Sequence, residues 1–150
     1  MNKFEKDLER GQLYELKLLE HIKFVDFERP LGNFKEYDIL IKKKNNKTIT
    51  YEVKADRLIY NTDNICIEYQ CFNKPSGIST STAKYWAIFE VKNDKKYRLY
   101  RIPTKKIREY IKNNYYLRDV KGGDFGASRM YLFDKHFFDE YIIYDNITEK

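Results

Sequence analysis

The chain is poor in the residues that staple or segment small proteins. Only two of its 150 residues are cysteine, and Cys66 and Cys71 have neither the CxxC spacing of a zinc or redox site nor the density of a secreted scaffold. Both read as reduced strand residues. His21 and His136 are the only histidines; they lie far apart with no companion nucleophile motif, so neither is assigned to chemistry. Three prolines and six glycines leave no linker, and there is no internal repeat or low-complexity tract. No apolar run nears the roughly 20 residues of a membrane span, and the start, Met1 to Asp7, lacks the apolar stretch of a signal peptide. The expectation is a cytoplasmic protein that makes no use of a membrane. GxSxG is missing, and Gly122 to Gly126 lacks the GK[ST] ending of a phosphate loop.

What is present is aromatic and charged. With 42% apolar and 17% aromatic residues, 14 of them Tyr and 10 Phe, residues 1–150 are expected to fold as a single domain around one core. The net charge is +6, and it is unevenly spread. From Lys92 to Lys121 eleven basic residues face three acidic ones, interleaved with Tyr97, Tyr100, Tyr110, Tyr115 and Tyr116. Such a surface pairs with phosphates and stacks on sugars or bases; a solvated lysine-rich face has the same composition.

Phe4, Leu8, Leu18, Leu19 and Ile22 recur at helical spacing, which predicts a helix over the first 25 residues. Leu8, Glu15 and Ile22 are seven apart, so Glu15 stands in line with the apolar stripe. Tyr37 to Ile41 and Thr48 to Lys54 read as a β-hairpin around the polar Lys42 to Lys47. Strands are expected at Ile65 to Phe72, Tyr85 to Val91, Tyr97 to Ile102 and Arg129 to Phe133. A basic helix is expected from Pro103 to about Asn113, and a short helix near Asp134 to Tyr141. The order predicts an α/β (α+β) fold, a central mixed β-sheet flanked by helices.

In the second hairpin strand, Thr48, Thr50, Glu52 and Lys54 alternate away from Ile49, Tyr51 and Val53. An acid and a base therefore share a face. Asp38 lies across from Glu52 only if the positions of facing residues add up to 90, which needs an odd-length loop centred on Asn45; a two-residue turn at Asn45-Asn46 would set Val53 opposite Asp38. Two neighbouring carboxylates in a partly buried site share a proton or a cation. With hard oxygen donors and no His or Cys nearby, the cation is Mg²⁺, or Mn²⁺ in its place. Lys54 can hold an attacking water or neutralise charge on a phosphoryl oxygen.

Asp38, the hairpin spacer and Glu52-Val53-Lys54 resemble the PD-(D/E)XK nuclease motif, with Tyr37 where the name has proline. Gly11-Gln12-Leu13-Tyr14-Glu15 resembles the GxxxE element that precedes that motif in Holliday-junction resolvases and RecB-like nucleases. Asn64 to Gln70 and Ser76 to Trp86 resemble segments of phage-encoded and restriction-type members, some of which carry an acidic residue near the position of Lys84. The resemblance covers about residues 5 to 91.

The resemblance implies a restriction-endonuclease-like core and a metal held by Asp38, Glu52 and the Val53 carbonyl. It implies Glu15, Asp38, Glu52 and Lys54 as the catalytic set, and DNA as substrate, cut by an endonuclease that works as a homodimer. Glu68 and Gln70 share a strand face from which Gln70 could reach a water or the scissile phosphate, although an edge strand facing solvent fits them equally. Ser79, Thr80, Ser81 and Thr82 could donate to DNA phosphates at a helix start or serve as an ordinary cap; Lys84, Lys105, Lys106 and Arg108 complete the expected nucleic-acid contacts. Two other readings stay open: a non-catalytic nucleic-acid-binding module with a nuclease-like fold, and a module that binds an acidic protein.

Overall fold

Helix α1 (Lys3–Leu19) opens the chain of a computed structural model that describes residues 3–32, 34 and 36–148. Tyr14 and Leu18, four apart on one side of α1, are fully buried, as the helical period requires; Phe4 and Leu8 of the predicted stripe lie outside the described side chains. The helix stops well short of residue 25. Beyond it the Val25 N–H bonds to the Lys42 carbonyl, and β1 (Asp26–Glu28) joins the sheet edge, so these residues spend their backbone groups on a ladder instead of another helical turn.

The predicted hairpin is β2 (Ile39–Lys42) and β3 (Thr48–Asp56). A short helix, α2 (Leu58–Thr62), follows it, the Leu58 N–H donating to the Asp56 carboxylate at 2.7 Å. Next come β4 (Asn64–Cys71), the two-residue β5 (Lys74–Pro75), β6 (Tyr85–Asn93), β7 (Lys96–Pro103) and α3 (Thr104–Lys112). The chain closes with β8 (Arg118–Gly122), β9 (Ser128–Asp134), a 3₁₀ helix over Lys135–Tyr141 and β10 (Ile142–Asp145), the last unanticipated from sequence.

The strands form two sheets. The larger runs β1-β2-β3-β6-β7-β10; its ladders are antiparallel except for β3 beside β6, which is parallel. It is the mixed central sheet that was expected. β4 does not extend the hairpin but joins the smaller sheet, β5-β4-β9-β8.

One face of the large sheet packs Ile39, Ile41, Tyr51, Phe89 and Leu99 under Tyr14 and Leu18 of α1. The other packs Trp86, Ile88, Tyr100 and Ile102 against Ile59 of α2, Ile107 of α3, and Ile65, Ile67 and Phe133 of the small sheet. β6 is buried on both sides, which explains its unbroken apolar run Tyr85 to Phe89. The expected flanking by helices therefore holds on the α1 side, whereas the small sheet supplies much of the cover opposite, beside α2 and α3.

Candidate active site

The register of the hairpin sets the site. Ile39 faces Tyr51, Leu40 faces Thr50, Ile41 faces Ile49 and Lys42 faces Thr48, so facing positions add up to 90. The five residues Lys43 to Lys47 form the odd-length loop centred on Asn45 that this register needs. At the open end Asp38 spans the ladder: its N–H donates to the Tyr51 carbonyl at 2.9 Å, and its Oδ2 accepts from the Val53 N–H at 2.8 Å. That clamp sets the carboxylate beside Glu52. A strand residue sends its N–H and C=O to the same side, so the Val53 carbonyl opens onto the gap that Asp38 borders.

Glu52 is 8% exposed, beside its parallel neighbour Trp86. Burial raises its carboxyl to about 7, opposed by the Lys54 ammonium and reinforced by the charges of Asp38 and Glu15. Burial also raises Asp38, against the Val53 N–H bond and Lys54. Glu15, on α1, is raised to about 7 by burial and by Asp38, with Arg29 pulling the other way. Lys54 Nζ stands 3.5 Å from Glu52 Oε1 and 6.0 Å from the Trp86 ring centre. Glu15, Asp38, Glu52 and Lys54 are thus close enough to alter one another's charge, although they come from a helix, a strand entrance and one strand. Arg29, which sequence reasoning passed over, sits within reach of Glu15; no pattern in its neighbours marks it.

Among the described residues no three His, Cys, Asp or Glu side chains gather closely enough to hold a metal ion by themselves. A donor set here consists of the Asp38 and Glu52 carboxylates and the Val53 carbonyl, hard oxygens that suit Mg²⁺ or Mn²⁺. The fit rests on a charge imbalance: two desolvated carboxylates share a single ammonium, and its approach to Glu52 is longer than a tight ion pair.

The other predicted residues divide. Glu68 belongs to the small sheet, where Oε1 accepts from the Ser128 hydroxyl at 2.6 Å and Oε2 from the Ser76 hydroxyl at 3.1 Å. Gln70, beyond a bulge in the same strand, donates to Asn73 at 3.4 Å. Neither is gathered with the acids. No α-helix starts at Ser79–Thr82; a 3₁₀ turn ends at Ser79 and the chain runs on into β6. Ser79 Oγ donates to the Tyr69 carbonyl, Thr80 Oγ1 to the Gly77 carbonyl and Ser81 Oγ to the Glu36 carbonyl, so these hydroxyls shape the turn.

That segment nevertheless flanks the acids. The Thr82 N–H bonds to the Glu36 carbonyl and the Lys84 N–H to the Thr50 carbonyl, while α3 begins with the Thr104 N–H on the Lys84 carbonyl. Arg108 donates to the Ile78 and Ser81 carbonyls at 3.0 and 2.6 Å and so ties α3 to the same turn. Lys84 and Lys105 are exposed, and Lys106 pairs with Glu109 at 3.3 Å. The basic third is not one free face: Arg98 is committed to Glu90 and Asp145, and Arg101 to Tyr51 and Tyr85.

No known protein family, curated protein or solved structure matches this chain.

Proposed function

We propose that the protein is a Mg²⁺-dependent deoxyribonuclease, an endonuclease with a restriction-endonuclease-like core. The observation that carries this reading is the meeting of Glu15, Asp38, Glu52 and Lys54 at the open end of the β2–β3 hairpin, in the register that the nuclease resemblance requires.

Asp38, Glu52 and the Val53 carbonyl would hold the cation, which when bound supplies Lewis-acid activation of water and neutralises charge on the phosphoryl oxygens. Val53 keeps Asp38 in place through its N–H. Lys54, half-exposed beside Glu52, can orient the attacking water and stabilise negative charge as the phosphodiester opens. Glu15 adds a third carboxylate and sharpens the demand for a cation. Lys84, Lys105 and the amino end of α3 lie alongside, where a DNA backbone entering the site would find positive charge. A homodimer, cutting two strands, and a cytoplasmic setting accord with this reading.

The test is cleavage of plasmid and branched DNA with Mg²⁺ or Mn²⁺. Glu52→Ala and Lys54→Ala are each expected to lower the rate by about a thousandfold or more, with DNA binding retained. Full cleavage by either variant would overturn the assignment, and salt-sensitive binding with no cut product from the unmodified protein would leave a binding module.

A further inference from the structure

The face of β3 that carries Tyr51 points away from Glu52, because neighbouring strand residues alternate. On that face the segment that follows α1, His21 to Lys23, borders a pocket of about 250 Å³ over the sheet. Isoleucines 41 and 49 line it from the sheet, and His21, Lys23, Lys43 and Arg101 are the ionisable side chains beside Tyr51; no acidic residue lines it. Lys23, Lys43 and Arg101 have no carboxylate partner among the described residues.

Arg101 is already fixed in place. Its guanidinium lies 3.8 Å from the Tyr85 ring centre, and its Nε donates to the Tyr51 hydroxyl at 2.9 Å. Those contacts leave its terminal nitrogens without a partner among the described residues. A planar guanidinium held this way is pre-organised for a bidentate oxyanion. Three cations around one hollow favour a ligand of more than one negative charge, and a phosphate monoester carries roughly −1.5 to −2 at neutral pH. The isoleucines require that the rest of the ligand be partly apolar, and the volume limits it to about the size of a mononucleotide.

We infer that this pocket is a binding site for a small organic phosphate, with the phosphate on Arg101, Lys23 and Lys43 and the body against Ile41 and Ile49. The site does not depend on the nuclease reading. Its ligand is either a free phosphorylated metabolite or the phosphorylated end of a nucleic acid.

Calorimetric titration of the full chain with thymidine 5′-monophosphate, thymidine, inorganic phosphate and a 5′-phosphorylated oligothymidylate tests it. The mononucleotide is expected to saturate with Kd below about 1 mM, thymidine not to bind, and inorganic phosphate to bind at least about tenfold more weakly than the mononucleotide. Arg101→Gln and, separately, the peripheral Lys43→Gln are each expected to weaken the mononucleotide by about tenfold, with circular dichroism unchanged for Lys43→Gln, and Glu52→Gln to leave it intact. Equal competition by the oligonucleotide assigns the source to a nucleic-acid end and failure to compete assigns it to a metabolite; both uphold the pocket. No saturable binding, or binding insensitive to both pocket substitutions, or binding lost only with Glu52→Gln, overturns it.

Discussion

Glu90 and Glu52 are both buried carboxylates on the large sheet, and they are treated differently. Glu90 is fully buried and accepts from Arg98 at 2.8 Å, Tyr100 at 2.9 Å and Lys135 at 2.9 Å. Its charge is matched, and with Asp63 and Asp145 it ties the 3₁₀ segment and β10 to the core. Glu90→Ala leaves Arg98 and Lys135 with one carboxylate each, Asp145 and Asp63, and the buried Tyr100 hydroxyl without its acceptor, so a denaturant midpoint should report a loss of about 2 to 3 kcal/mol. Glu52 has only Lys54, at 3.5 Å, and its carboxyl is raised to about 7. The folded metal-free protein therefore holds a proton there that the unfolded chain releases near pH 4.5. That contribution to stability is fully present below the unfolded value and lost as pH rises through 7. In EDTA, Glu52→Gln should flatten the fall in Tm between pH 5 and 8 relative to the unmodified chain by at least about 3 °C. An identical pH profile for the two proteins would contradict the burial argument.

At the scale of elements, the hairpin loop and the turn after β5 position the site. Removing Asn45, with the loop kept at five residues by drawing in Thr48, moves Val53 opposite Asp38 and exchanges the faces of every β3 side chain against β2. Metal-dependent cleavage should be lost, with severe destabilisation visible by circular dichroism, since Tyr51 would leave its buried position. Gly77 has φ +51, and a Cβ there would overlap the Glu68 carbonyl. Gly77→Ala should thus displace the turn that Arg108 grips and lower Tm by several degrees; an unchanged Tm would deny the turn its supporting role. Elements with strong patterns were legible from sequence, and β2, β3, β6, β7 and α3 all fall close to where they were expected, whereas the register, open between two pairings in the sequence, is fixed only by the five-residue loop of the folded chain. β1 and β10 were not, because three or four residues at a sheet edge take their conformation from a partner strand instead of their own pattern. α2 was hidden for a similar reason, its Leu58 N–H being held by Asp56 at the tip of β3.

At the scale of the molecule, the acid cluster was legible in part, because Glu15 interrupts the apolar stripe of its helix and Glu52 and Lys54 share the polar side of an alternating strand, while the facing of Asp38 depended on the register. The two-sheet architecture was not. Nothing in β4 states that Ile65 and Ile67 will lie against Trp86 and Ile88 from a separate sheet rather than beside β3, since an apolar strand carries no mark of its neighbour. The same limit applied to Arg98, Arg101 and Arg108, which read as a basic face and are partly spent inside the fold. The proposed function as a whole stands on divalent-cation binding by Asp38 and Glu52. A crystal soaked in Mn²⁺ tests this most directly: anomalous density is expected within about 2.0 to 2.5 Å of both carboxylates and the Val53 carbonyl. Density elsewhere on the chain, with these oxygens bare at saturating Mn²⁺, would contradict it.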